Sequence, residues 1–297
     1  MKIAVNGKLC DERDAVVSAY DHGFMYGIGL FETLRTYDGE PFLLGAHLRR
    51  LAQGCEALDI AYAPDEAALR ETFRELLAVN GLADAYIRLS VSAGPDALGL
   101  PAGGYFTPTI IVYVKPLPSA APGGKALQLL TLRRNSPEGD VRLKSFHYMN
   151  NILGKIELKR YSWASGAEGL FLDAAGRVAE GIVSNVFFAG ADGVLRTPAL
   201  ATGALPGITR AHVLRLADRL GLRAEEGLYG FGELTAAREA FVTNSIQEIV
   251  PVRAVYEPDG TCHSFGDGGS GEPGELTRRL IAVYRTEAGP AEEEEGR

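Results

Sequence analysis

Four separated elements of the 297-residue chain carry side chains that together suit an anionic aromatic cofactor held by a lysine. Lys144 precedes a stretch that is otherwise apolar and amide-rich, and Glu180 sits in the strand-like VAEGIVSN. Arg50 lies in HLRRL, where it could meet an anion or serve only as a solvated helix charge. LPGITR (205–210) puts a glycine and a threonine where a helix begins. Free backbone N–H groups and the positive helix end there could receive a phosphate, although an ordinary N-cap reads the same way. Each element alone is weak, since lysines and glutamates at such places are usually surface charge.

The elements that must position these residues divide the chain in two. IAVN (3–6) and FETLRTYDGEPFLL (31–44), with a turn at Asp38-Gly39, read as strands and a hairpin. The segments 45–60 and 64–81 have helical apolar spacing, and the second follows a proline and ends at Gly81. AYIRLSVSAG (85–94) and PTIIVYVKPL (108–117) return to strand character. The predicted fold class is α+β, with a small N-terminal domain over 1–117. KPLPSAAPGGK gives the composition of a linker, placed at 118–125. A larger, strand-rich domain is predicted over 126–288, with helices near 146–164, 207–222 and 274–287. A glycine-rich loop is expected at 258–275, and the acidic end 289–297 reads as a solvated tail.

Apolar residues make up 46% and charged residues 23% of the chain, with a formal net charge of −8. No apolar run approaches the roughly 20 residues of a membrane helix, and no basic stripe offers a nucleic acid its phosphate contacts. Neither a membrane nor a nucleic-acid partner is expected, and the location predicted is cytoplasmic. Three scattered cysteines and five histidines without an HxxxH pair give neither a disulfide framework nor a metal site.

Taken in order, DHGFMYGIGLFETLRTYDGEPF, HLRRL, KSFHYMNNILGKIEL, AEGIVSNVFF, LPGITR and FVTNSIQEIVPV form a specific pattern. It resembles the class IV family of pyridoxal-phosphate (PLP) enzymes over about residues 3–255. That family includes branched-chain and D-amino-acid aminotransferases and aminodeoxychorismate lyases, and the resemblance implies their two-domain fold. It implies that Lys144 forms the Schiff base with pyridoxal 5'-phosphate and that Glu180 pairs with the pyridine nitrogen, keeping it protonated. Tyr148 would donate to the cofactor's phenolic oxygen, and Leu205 would pack against one ring face. The phosphate would be held by Arg50, the backbone amides of Ile208 and Thr209, and Ser245. A homodimer is also implied, with each active site bordered by residues of the partner.

Where many relatives have KSLNYLNN, this chain has KSFHYMNN, which brings His147 near the lysine either to orient its loop or to take part in chemistry. At Thr33, branched-chain aminotransferases resembling this chain usually carry glycine and aminodeoxychorismate lyases threonine. The implied activity is therefore conversion of aminodeoxychorismate to 4-aminobenzoate and pyruvate in folate biosynthesis, with Lys144 and Thr33 catalytic. Tyr26, Arg35, Arg88 and Arg142 are the candidates for binding a substrate with two carboxylates. The alternative is an aminotransferase acting on branched-chain or D-amino acids. A PLP-binding protein without turnover is disfavoured, because Lys144, Glu180 and Arg50 are all present.

Overall fold

The computed structural model describes residues 1–118, 123–266 and 272–289. Part of the expected linker, the centre of the glycine-rich loop and nearly all of the acidic tail lie outside the described residues. The chain forms two compact units, described separately below. One comprises Met1–Pro118 together with Leu143–His147 and the C-terminal end, and the other comprises Ser119–Arg142 and Tyr148–Glu287.

In the first unit a six-stranded sheet runs in the order β2-β1-β6-β5-β3-β4. Its strands are β1 (Lys2–Val5), β2 (Lys8–Asp11), β3 (Gly29–Tyr37), β4 (Glu40–Pro41), β5 (Ala85–Ser92) and β6 (Thr109–Pro116). The unit also holds α1 (His22–Tyr26), α2 (Leu44–Ala57) and α3 (Glu66–Asn80). Side chains alternate across a strand. In β3 this sends Leu30, Glu32 and Leu34 to one face and Phe31, Thr33 and Arg35 to the other. The first face packs with Ile87, Leu89, Val91, Val112 and Val114 against Leu44, Leu48 and Leu51 of α2 and Phe73, Leu76 and Leu77 of α3. The α3 helix is bounded as its sequence suggests: Asp65 caps its first turn through Ala68 N, and Gly81 closes it at φ 65°.

The 31–44 hairpin is recovered as β3 and β4, with Asp38 and Gly39 both at positive φ. Its first strand also acquires a partner from much later in the chain. Phe31 N donates to Lys144 O, Phe146 N donates to Gly29 O, and Leu30 faces Ser145 in an antiparallel bridge.

The second unit contains a nine-stranded sheet in the order β12-β11-β10-β13-β14-β7-β8-β9, with β15 added to β14. Its strands are β7 (Lys125–Leu129), β8 (Glu168–Leu172), β9 (Val178–Gly181), β10 (Asn185–Ala189), β11 (Leu195–Pro198), β12 (Ala224–Gly227), β13 (Glu239–Asn244), β14 (Glu248–Tyr256) and β15 (Cys262–Ser264). The helices are α4 (Met149–Leu158), α5 (Ile208–Arg219), α6 (Phe231–Thr235) and α7 (Glu275–Ala288). The β15 strand corrects the reading of 258–275 as loop throughout. Cys262, His263 and Ser264 pair with Tyr256, Val255 and Ala254. The mixed helices and sheets establish the α+β class, and among the described residues no helix is long and apolar enough to cross a membrane.

Candidate active site

The first unit supplies the lysine. Because Leu30 faces Ser145 across an antiparallel bridge, Lys144 lies opposite Phe31 and projects to the same sheet face as Phe31, Thr33 and Arg35. Its Nζ lies 4.6 Å from the centroid of the Phe31 ring. Arg88, directly across from Thr33 in β5, lays its guanidinium 3.7 Å from the same centroid and donates from Nε to Ser90 Oγ at 3.1 Å. Arg35 stacks on Tyr37 at 4.4 Å. Over Phe31–Arg35, Tyr86–Ser90 and Tyr113–Lys115 the residues of this face include no acid, so it favours anions.

On the opposite face lies a charged group that sequence reasoning did not single out. Glu32 is 1% exposed and accepts from Arg50 Nε at 2.7 Å, Arg50 Nη2 at 2.6 Å and His47 Nδ1 at 2.6 Å. Burial alone would raise its carboxyl, but the Arg50 charge and these bonds outweigh burial and hold it down to about 2. Burial also pushes His47 below the usual imidazole value, so it is a neutral donor at pH 7. Arg50, predicted at the phosphate, thus has two arms of its fork on Glu32 and is not a solvated helix charge. Tyr26, a substrate candidate, stands edge-on to His22 at 4.8 Å and accepts at its hydroxyl from Gly99 N. His147 lies against Gly27, with Nε2 3.4 Å from Tyr26 O. Gly27 has φ 74° and no room for a Cβ beside that ring.

The second unit supplies a carboxylate and an anion cradle. Glu180 in β9 is buried. Its Oε1 accepts from Arg134 Nε at 2.8 Å, and its Oε2 from Leu205 N at 2.9 Å and Asn185 Nδ2 at 3.5 Å. Arg134 also donates to Asn150 Oδ1 at 2.7 Å, which fixes it from the far side. Arg142, a substrate candidate, has Nε 4.0 Å from Glu180 Oε1 and donates to the carbonyls of Gly203 and Asn135. Burial, with Arg134 nearby, pushes its guanidinium below the usual arginine value. The turn after Glu180 is held by Glu168, which accepts from Val183 N and Ser184 Oγ. A Cβ on Gly181 would strike both side chains, which is why AEG ends in glycine.

The cradle is at the start of α5. No side chain caps this helix, so its first N–H groups and its positive end are open to an anion. Thr209 Oγ1 and Ser245 Oγ meet there at 3.4 Å, from segments 36 residues apart. Tyr148 is the residue before α4. A buried carboxylate paired with an arginine, an uncapped helix start and two hydroxyls fit a cofactor with a basic ring nitrogen and a phosphate. Arg134, Asn185, Glu32 and His47 were missed by the sequence reading. For Glu32 and Asn185 the signal was a polar residue at a strand position that alternation assigns to the interior, whereas His47 lies in a helix and Arg134 outside any strand, where alternation gives no signal.

Several known proteins resemble the chain over nearly its whole length. The family model for amino-transferase class IV matches residues 29–255. The chain is 41% identical over 288 residues to the aminodeoxychorismate lyase of Bacillus subtilis (strain 168), covering 96% of this chain and 94% of that one. Among solved structures it resembles 4-amino-4-deoxychorismate lyase from Pseudomonas aeruginosa (TM-score 0.80, 33% identity, 95% of this chain and 98% of that chain). It also resembles the T.th. branched-chain amino acid aminotransferase complexed with N-(5'-phosphopyridoxyl)-L-glutamate (TM-score 0.82, 28% identity, 97% and 93%). The buried Glu180, the uncapped α5 and the bridged Lys144 segment thus stand on a chain that belongs to the amino-transferase class IV family.

Proposed function

We propose that this chain is a PLP-dependent aminodeoxychorismate lyase, acting as a cytoplasmic homodimer and releasing 4-aminobenzoate and pyruvate. The observation that carries the reading is the shared sheet face of Lys144, Thr33 and Arg88. It offers an amine, a hydroxyl and a cation to an amine substrate with two carboxylates. The 41% identity to a lyase of that name supports the same choice.

When bound, PLP would supply an electron sink for the carbanion left when the substrate loses its proton. Lys144 would hold the cofactor through its amine, and that amine, once free, would take the proton from the substrate ring carbon bearing nitrogen. Glu180 would hold the proton on the pyridine nitrogen, with Arg134 fixing the carboxylate in place. Tyr148 donates to the phenolic oxygen, and Leu205 covers a ring face. Arg50, Ile208, Thr209 and Ser245 hold the phosphate. Thr33 passes a proton to the departing enolpyruvyl oxygen. Arg88 and Arg35 receive the carboxylates, with Tyr26 at the border of the substrate. Arg142 enters only through the N–H groups not already given to Gly203 and Asn135.

An aminotransferase would use the same residues up to the loss of that proton, and the likeness to the phosphopyridoxyl-bound aminotransferase keeps that second reading in view. The deciding experiment incubates the protein with aminodeoxychorismate and, separately, with leucine or D-alanine plus 2-oxoglutarate. Release of 4-aminobenzoate supports the lyase, and keto acid from leucine or D-alanine supports the alternative. The protein is expected to be yellow, with borohydride fixing the cofactor on Lys144. A label on Lys155 or Lys159 would overturn the lysine assignment.

A further inference from the structure

We infer that Asn185 is a positioning residue for the cofactor ring, holding Glu180 and Leu205 as one piece through the two backbone groups of Leu205. The Leu205 N–H donates to Glu180 Oε2 at 2.9 Å, and the Leu205 C=O accepts from Asn185 Nδ2 at 2.9 Å. The same Asn185 amide nitrogen lies 3.5 Å from Glu180 Oε2. Its side chain therefore closes a ring of contacts joining the carboxylate assigned to the pyridine nitrogen to the residue assigned to the ring face. The inference rests on those two assignments and not on the lyase outcome.

Two observations fix the orientation of the amide. Its nitrogen faces two acceptors, a carbonyl and a carboxylate, and only an NH₂ group satisfies both. Its oxygen then points at Gly207, where a Cβ would collide with Asn185 Oδ1. Gly207 has φ −65° and ψ 137°, a conformation open to any residue. Glycine is thus required at this position by the amide and not by the backbone. Asn185 is 6% exposed and opens β10, opposite Thr243 of β13, so sheet pairing fixes where its side chain starts. A leucine held at both its N–H and its C=O has its backbone, and so the direction of its Cα–Cβ bond, fixed relative to Glu180 and Asn185. The carboxylate, in turn, cannot turn Oε2 away without losing the Leu205 N–H.

The test titrates apo-protein with PLP and follows the visible band of the bound cofactor. Asn185→Ala, which leaves the Leu205 carbonyl with the Gly207 N–H but without its link to the amide, is expected to weaken PLP binding about tenfold. Asn185→Asp keeps the shape but sets an acceptor against two acceptors. It is expected to weaken binding more, by roughly a hundredfold, and to displace the pH profile of the band, which a merely structural role would not move. Gly207→Ala is expected to weaken PLP in the parent but to add nothing to Asn185→Ala, because the oxygen that the new methyl would strike is gone. Parental affinity and band in both Asn185 variants would overturn the inference, as would a Gly207→Ala penalty equal in the two backgrounds. Should Asn185→Ala fail to fold, the Asp variant and Gly207→Ala in the parent decide by the same readouts. A parent that takes up no PLP defeats this inference and the proposed cofactor residues together, whereas one that binds PLP but yields no 4-aminobenzoate removes the lyase alone.

Discussion

Each unit buries one glutamate against an arginine, and the two arrangements differ in what they leave over. Glu32 meets a bidentate fork from Arg50 and a neutral His47, so charge saturates both of its oxygens. Glu180 spends one oxygen on Arg134 and turns the other to a backbone N–H and a distant amide. Each Glu32 oxygen already faces an arm of one guanidinium fork, while the second Glu180 oxygen accepts from neutral donors alone and carries no cation. The contrast fits the proposed role of Glu180 at the cofactor and leaves Glu32 as a brace for the strand that carries Thr33 and the Lys144 pairing.

The largest expected effect tests the working carboxylate. Glu180→Gln keeps an oxygen for Arg134 but cannot hold a ring proton by charge, so kcat should fall roughly 10²–10⁴-fold, on top of the Tm lost by leaving the buried Arg134 without a charged partner. A kcat within threefold of the parent would erase the distinction. Glu32→Gln should lower Tm while leaving the kcat of the folded protein near that of the parent. Removing one partner of a buried ion pair costs about 3–5 kcal/mol, which lowers Tm by on the order of 10 °C in a chain of this size. Because the Glu32 carboxyl is held at about 2 when folded, below its usual 4.5, its contribution is present above pH 4.5 and lost as pH falls toward 2. Acid melting curves of the variant should therefore be flatter across that window.

Thr33→Val keeps the β-branched shape on the working face and removes the hydroxyl. If the hydroxyl relays a proton, 4-aminobenzoate release should slow by about 10²-fold or more while PLP affinity stays unchanged. A parental rate would reduce Thr33 to a strand former. The smallest effect belongs to a buried group outside both arrangements. His212 in α5, edge-on to Tyr284, is pushed down to about 4 by burial and by Arg215 and Arg219. The unfolded chain binds this proton near pH 6.5, so stability should drop by a few degrees of Tm as pH falls from 6.5 to 4. His212→Asn should abolish that part of the slope, and an unchanged slope would show that other groups cause it.

Much of the fold was legible because local patterns and tertiary demands coincide. The apolar spacing and Gly81 mark α3, and the Asp38-Gly39 turn and alternation mark β3. The short strands β2 and β15 were not legible, since KLCD and CHS carry no apolar alternation and owe their form to neighbouring strands. Lys144, Glu180 and LPGITR were found because family motifs sit on them. Asn185 lay inside a quoted motif and still went unassigned, because its importance depends on Leu205, twenty residues on, which only the folded chain brings to its amide. Arg134 and Glu32 escaped for a related reason. A charged residue reads as surface until its buried partner is known.

The strand partnership between residues 29–31 and the Lys144 segment also has a consequence for synthesis. Ser145 leaves the ribosome more than a hundred residues after Leu30. At about 5–20 residues per second, the edge of β3 waits several seconds for its partner, with its N–H and C=O groups open to any other strand. The first unit cannot finish folding as the leading product of translation, and a nascent chain arrested before residue 143 should be caught by chaperones that a chain arrested after residue 147 escapes. The residue proposed to carry the chemistry is thus placed on the stitch that completes the first half of the molecule.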